Sequence, residues 1–412
     1  MPKITPFNAI RPPKELAAKV AALPYDVYNR KEATEIVAKE PLSFLNIDRA
    51  ETTFPENIST YDDRVYQQAK ELLDKMINNG TFIIEERPCY YIYELTMKNH
   101  TQTGIVACSA VSDYHENIIK KHENTRPEKE LDRIRHIDTT NAHTGPIFMA
   151  YRSNEIINTI VNNEKEKAPE YDFTSDDGIK HRCWIINDPQ TITNIQKTFT
   201  NIPATYIADG HHRCASAVKV AEKRKSENPH HTGDEEYNRF LSVLFPDDQL
   251  KILPYYRVVA DLNGLTQNEL INAIEKQGFE IEFLGKEAYA PKQKGNFGMY
   301  LADGWYRLTA KTELYSDDPV KGLDVAILQD FILEPVFGIA DPRIDKRIDF
   351  VGGIRGLGEL EKRAATDMAA AFSTYATSIE ELLSVADAGL LMPPKSTWFE
   401  PKLRSGLFIH AM

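Results

Sequence analysis

Asp209-Gly210-His211-His212-Arg213 packs a carboxylate, a glycine, two imidazoles and a guanidinium into five residues. The stretch stands between an apolar run, Ala204 to Ala208, and a segment in which Cys214, Ala217, Val218 and Ala221 recur at helical spacing. The run reads as a buried strand; Lys219, Glu222, Lys223 and Arg224 fall on the opposite face of the helix. A glycine at a tight strand-to-helix turn lets the backbone approach a ligand closely, and the helix N-terminus beyond it offers N–H groups and a dipole that favour an anion. Arg213 adds a planar fork of donors and the imidazoles add more, so phosphate binding is the chemistry expected of Gly210, His211, His212 and Arg213. Asp-Gly is also an ordinary turn pair, and adjacent histidines point in different directions, which makes the pair a poor metal signal.

A second constellation is Lys121-His122-Glu123-Asn124-Thr125-Arg126, followed by Glu128, Asp132, Arg133, Arg135 and His136. A carboxylate held beside cations stays ionised and can accept a proton from a substrate hydroxyl, while the cations neutralise phosphate oxygens. Glu123 is then the candidate general base, His122 its support, and Lys121 and Arg126 candidate phosphate ligands. The competing reading is a solvated helix with intrahelical pairs such as Lys129 with Asp132 or Glu130 with Arg133. A His-Glu-x-x-His metalloprotease helix would need histidine at position 126, which is Arg126, and no Gly-x-Ser-x-Gly elbow is present. Lys395-Ser396-Thr397 and Lys402 lie in a proline-punctuated stretch that supplies further donors and cations, with Lys395 kept as a binding candidate.

The elements that must position these groups alternate along the chain. Tyr61 to Asn79 carries an apolar helical face and stops at Gly80. Pro88 to Met97 and Gly104 to Asp113 read as a hairpin around polar Lys98 to Thr103, with Tyr90, Tyr91 and Tyr93 as sheet faces. Strands at 145–151, 182–187 and 204–208 and helices at 156–164 and 191–199 lead into the turn. Later strands fall at 239–245, 255–261 and between 279 and 310, with helices near 267–278, at 323–331 and after the capping box Ser378-Ile379-Glu380-Glu381. Gly352 to Gly358 matches neither a dinucleotide fingerprint nor a P-loop and reads as a helix lead-in. The fold class expected is α+β, mixed sheets with flanking helices, in three domains at 1–115, 116–250 and 251–412.

With 412 residues, 42% of them hydrophobic, the chain can bury a large core. No apolar run is long enough to span a bilayer, and Met1 to Ile10 lacks the pattern of a signal peptide, so a cytoplasmic location is expected. Cys89, Cys108, Cys183 and Cys214 are widely spaced without a Cys-x-x-Cys pair, as suits reduced thiols. A formal net charge of −12 opposes binding to nucleic acid.

Asp-Gly-His-His-Arg after a strand and before a helix resembles the signature of the ParB/sulfiredoxin-like superfamily, whose members place nucleotide phosphates on that turn. A wider resemblance is to a bacterial and archaeal domain-of-unknown-function family, number ten-fifteen, also labelled SpoOJ/ParB-like. It rests on Pro24-Tyr25-Asp26-Val27, Ser43-Phe44-Leu45, His122-Glu123-Asn124-Thr125, Pro146-Ile147-Phe148, Asp209 to Arg213 and Met392-Pro393-Pro394-Lys395-Ser396-Thr397. The chain departs from that pattern at Cys214, where an aromatic residue is usual, and at Tyr256, where a histidine is expected. The resemblance implies a ParB/sulfiredoxin-like unit around the turn. Site chemistry and resemblance together lead to a nucleotide-dependent phosphotransferase, using ATP or ADP with magnesium, acting on a small hydroxylated metabolite. Asp209 would orient the magnesium or the acceptor. Free serine as acceptor is implied by the resemblance alone, through serine kinases with a similar Asp-Gly-His turn. The alternative is a ParB-like nucleotide-binding regulator or DNA-partition protein, for which no helix-turn-helix with a basic recognition helix is visible. The metal, the acceptor and the oligomeric state are left open by the sequence.

Overall fold

A computed structural model describes residues 1–412, whose contacts gather into two compact units. One comprises Met1–Lys121, Thr125–Leu250 and Pro401–Met412; the other comprises His122–Asn124 and Lys251–Glu400. The class is α+β, with 13 α-helices among several sheets. The first two of the three domains drawn from the sequence share one unit, because a single sheet takes strands from both.

That sheet holds β1 (Ile4–Thr5), β2 (Tyr90–Met97), β3 (His100–Ala110), β4 (Ile119–Lys120), β5 (Ile147–Tyr151), β6 (Tyr171–Thr174), β7 (Lys180–Ile186), β8 (Thr205–Asp209) and β9 (Arg239–Pro246). Their order is β4-β8-β5-β9-β3-β2-β7-β6, with β1 added to β3. The pairs β4/β8 and β5/β9 are parallel and the others antiparallel. The β2–β3 connection is tighter than the polar run 98–103 suggests: Lys98 turns the chain at φ 56 and β3 begins at His100. Those polar residues belong to the ladder because they find partners across it, as Thr96 does with Thr101 at 2.9 Å and Thr103 with Glu94 at 3.2 Å. Tyr90, Tyr91 and Tyr93 are fully buried in the sheet, as expected of scaffold.

Five long helices belong to this unit: α1 (Asp63–Asn78), α2 (Pro127–Thr140), α3 (Glu155–Lys165), α4 (Pro189–Phe199) and α5 (His211–Glu227). The side chain of Asp62 caps α1 by accepting from the Arg64 N–H, and Gly80 follows its end at φ 81. Cys214, Ala217, Val218 and Ala221 of α5 are buried as their spacing predicts. All four cysteines are buried thiols.

In the other unit β10 (Tyr255–Val259), β11 (Phe279–Gly285), β12 (Asn296–Leu301), β13 (Gly304–Ala310), β14 (Ile348–Gly352) and β15 (Ala370–Thr374) form an antiparallel sheet in the order β11-β13-β12-β15-β10-β14. Adjacent residues point to opposite faces of a strand. Val259 and Ala370 join one hydrophobic cluster and Val258 and Ala371 another, so both faces are covered. Helix α6 (Gln267–Lys276), helix α7 (Leu357–Thr366) and helix α8 (Ile379–Asp387) complete it, the last opened by the reciprocal Ser378–Glu381 capping box. The glycine-rich stretch forms a 3-10 turn, Gly353–Arg355, ahead of α7, as a helix lead-in should. No helix is long and apolar enough to cross a membrane.

Gly104 fixes how closely β9 lies beside β3. A Cβ there would stand 2.8 Å from Val243 and 2.9 Å from Phe245, both wholly buried. Gly104→Val should therefore destabilise the first unit by about 1–3 kcal/mol through overpacking, read as a lower midpoint in chemical denaturation. An unchanged midpoint would mean that these strands move apart at little cost.

Candidate functional site

Strand β8 ends at Asp209, where its register with β5 shifts between Ile207 and Asp209, a bulge that re-aims the strand end. Gly210 follows at φ 96, a left-handed conformation that costs other residues a steric clash, and α5 begins at His211. The space a side chain would take at Gly210 is filled by the Arg213 guanidinium, 3.1–3.2 Å from that point. Arg213 Nη1 donates to the Pro146 carbonyl at 2.6 Å. The expected strand, glycine turn and helix are thus all present, and no side chain caps α5.

Helix α2 runs alongside α5. The Arg126 N–H, at the N-cap of α2, donates to His212 Nε2 at 3.0 Å. One turn on, Ser216 Oγ donates to the Glu130 carbonyl at 3.0 Å and Lys219 pairs with the Glu130 carboxylate. At the far end, Lys223 and Arg224 pair with Asp138. Residue numbers rise together along both helices, so they are parallel and their positive N-terminal ends converge at the Asp209 turn. No side chain caps α2 either. The intrahelical pairs expected for a solvated α2 are not formed: Asp132 accepts from Tyr66 of α1 as well as from adjacent Arg133, Glu130 pairs with Lys219 of α5, and Asp132, Arg133 and His136 are buried. Partners from other elements are favoured over residues one turn away on the same helix because they also bury the helix face.

The electrostatics of the turn follow from Lys402, which the sequence offers as a further cation without a partner. Lys402 Nζ donates to Asp209 Oδ2 at 2.8 Å, while the Gly210 N–H donates to Oδ1 at 2.9 Å. Burial alone would raise the Asp209 pKa, but the Lys402 and Arg213 charges outweigh it and hold the carboxyl well below the usual carboxylate range. Burial takes His211 the other way, down to about 4, with His212 and Lys121 adding to the effect and Asp209 opposing it. His211 is therefore a neutral imidazole at neutral pH. His212, accepting at Nε2 from Arg126, carries its proton on Nδ1 when neutral.

Asp209, Gly210, His211, His212, Arg213 and Arg126 are thereby brought together, with Lys402 added to the predicted set. Lys121 is exposed in the same unit, its ammonium 5.4 Å from the centre of the Tyr114 ring. His122 and Glu123 belong to the other unit. There the His122 carbonyl accepts from Met392 N at 2.8 Å and its Nε2 lies 3.4 Å from Thr397 Oγ1. Lys395 shares that unit, at φ 57, with its ammonium 5.6 Å from the Tyr255 ring centre. Only the proline-rich surroundings of Lys402 signalled it in the sequence, and its 193-residue separation from Asp209 hid the pairing.

Buried neutral histidines make stability depend on pH. Unfolded histidine titrates near 6.5, whereas His211 and His136 titrate near 4 and His181 near 3 in the fold, chiefly because of burial. Between these values the unfolded chain binds more protons, so stability is complete above about pH 6.5 and declines as pH falls toward 4. His211→Gln should flatten that decline by its share, on the order of 3 kcal/mol at full effect. Denaturation midpoints measured from pH 7 to pH 4 check this, and identical slopes for the two proteins would show that His211 takes up its proton at the same pH folded and unfolded.

No curated protein matches the chain. Among solved structures it is similar to a free serine kinase in complex with AMP, at 14% identity and a TM-score of 0.38, over 74% of this chain and 91% of that one. It is also similar to a conserved hypothetical protein from Pyrococcus furiosus, at 17% identity and a TM-score of 0.35, over 74% and 94%. A third likeness is to SbnI with a C-terminal truncation from Staphylococcus aureus, at 10% identity and a TM-score of 0.36, over 74% and 87%. Likenesses this loose say nothing of chemistry in this chain. Residues 4–326 match the model of the family described as protein of unknown function (DUF1015), well over half the chain, and the protein belongs to that family.

Proposed function

We propose that the protein is a nucleotide-dependent phosphotransferase acting on a small hydroxylated metabolite, with ATP or ADP as donor. The observation that carries this reading is the convergence of two uncapped, parallel helix N-termini on a glycine turn flanked by Arg213, His212 and Lys402. Aligned helix dipoles and a guanidinium fork stabilise phosphate oxygens more than any neutral ligand. The resemblance of this turn to the ParB/sulfiredoxin-like signature supports the same assignment, and free serine is the acceptor that resemblance points to. Nothing favours the DNA-partition alternative, and a net charge of −12 opposes it.

In this reading Gly210, His211, His212 and Arg213 hold the phosphates, Lys121, Arg126 and Lys395 add positive charge, and Glu123, supported by His122, accepts the acceptor's proton. Asp209, which accepts from the Gly210 N–H at Oδ1 and from Lys402 at Oδ2, orients the magnesium or the acceptor. The reaction would take place in the cytoplasm.

The test is direct detection of phosphate transfer from ATP or ADP, with magnesium, to a panel of hydroxylated amino acids. Arg213→Ala should weaken nucleotide binding by on the order of ten- to a hundredfold through loss of a charge-assisted contact. Glu123→Gln should keep nucleotide affinity and lose turnover, since a base acts on the chemical step. Full activity in both variants would overturn these assignments.

A further inference from the structure

Two adjoining cavities lie in the first unit. The larger, about 140 Å³, opens between the 47–51 segment, α1 and α2. The smaller, about 20 Å³ and big enough for one water, shares Tyr25, Asp48, Arg133 and His136 with it and reaches Arg213. A cavity of roughly 150 Å³ is known to accept benzene, so the larger chamber suits a ligand of about six heavy atoms.

Accounting for hydrogen-bond partners shows which lining groups remain for a ligand. Arg49, which lines only the larger cavity, gives Nε to Glu51 at 2.5 Å and Nη1 to the carbonyls of Tyr25 and Tyr28. Asp132 accepts from Tyr66 at one oxygen and from Arg133 at the other, both at 2.9 Å. Arg133 lies over the Tyr25 ring at 3.9 Å and uses Nε and Nη2 on Asp132, so its Nη1 is left over. Asp48 accepts from Thr144 Oγ1 at 3.0 Å with one oxygen, and its second is left over. These two residues are 7% and 6% exposed. A buried charge with unused hydrogen-bonding capacity is costly unless a ligand or water completes it. His136, lowered to about 4 chiefly by burial and the Arg133 charge, adds no positive charge.

Among the charged residues that line both cavities, Arg133 and Asp48, what is left over is one cationic edge and one carboxylate oxygen, of opposite sign, in a chamber the size of a small metabolite. We infer that the 140 Å³ cavity binds a small α-amino acid, its carboxylate on Arg133 and its ammonium on Asp48. Its side-chain hydroxyl would point along the narrow cavity toward Arg213 and the turn. As the acceptor pocket this rests on the phosphotransfer reading; as a binding site it stands on the cavity alone.

Calorimetric titration of the full chain, with and without nucleotide, tests it using L-serine, L-serinamide and 3-hydroxypropionate. Only L-serine carries both charged groups, and it should bind at least tenfold more tightly than either analogue. Arg133→Met should abolish binding. Because that buried substitution can unfold the protein, Thr60→Trp serves as the second variant. Thr60 is half-buried where it lines the larger cavity, outside the buried ion set, and the indole should obstruct entry and weaken L-serine at least tenfold without lowering the thermal midpoint. Absence of L-serine binding under both conditions, equal binding of all three probes, or undiminished binding by folded Thr60→Trp would overturn the inference. Charge-selective L-serine binding without phosphate transfer to it would uphold the cavity assignment and sink the phosphotransfer reading. Transfer that proceeds normally in Thr60→Trp would do the reverse.

Discussion

The left-handed backbone at Gly210 is the constraint on which the candidate site depends. Between the last ladder residue, Asp209, and the first helical residue, His211, a single residue must reverse the chain's conformation, and φ 96 there is open to glycine and strained for any side chain. A substituent would also strike the Arg213 guanidinium, whose position against the turn is set by the Pro146 carbonyl. One backbone angle thus fixes where α5 starts, where Arg213 sits, and how the N-terminus of α2 can meet that of α5 through the Arg126–His212 bond.

The turn is held beside the N-terminus of α2 by the lacing of α2 to α5. Glu130 and Asp138 of α2 receive Lys219, Lys223 and Arg224 of α5, while α2 turns Asp132, Arg133 and His136 inward. The exposed pairs contribute little each, but the buried Asp132–Arg133 pair would leave an uncompensated charge if either partner were removed. The same helix therefore aligns a dipole with the turn at one end and lines the amino-acid-sized cavity along its inner face.

Local signals in the sequence carried a good part of this. Caps and stops such as Ser378–Glu381 and Gly80, the apolar face of α5 and the Asp209–Arg213 turn all depend on neighbours within a few residues, and they are found where periodicity puts them. What depended on distant partners was not legible. Asp132 and Arg133 have the spacing of a solvated helix and are buried because Tyr25 and Tyr66, far earlier in the chain, cover them. Lys402 looks like one basic residue among many until the fold sets it on Asp209. The boundary drawn at residue 115 failed as a division between units for the same reason: β3 pairs with β9 across more than a hundred residues, and no composition shift marks that.

The segment from Pro401 to Met412 returns to the first unit after a 150-residue excursion through Lys251–Glu400. Ile409 bridges Ile10, Ser405 bridges Ala22, and His410 pairs with His143. A ribosome emits the chain from its N-terminus, and domains usually fold as they emerge. This unit lacks those closing contacts, and Asp209 its lysine, until Pro401–Met412 has been synthesised. The nascent chain must therefore wait with the turn's counter-ion missing, and a product interrupted anywhere in the excursion would carry the whole Asp209–Arg213 motif without the charge that completes it.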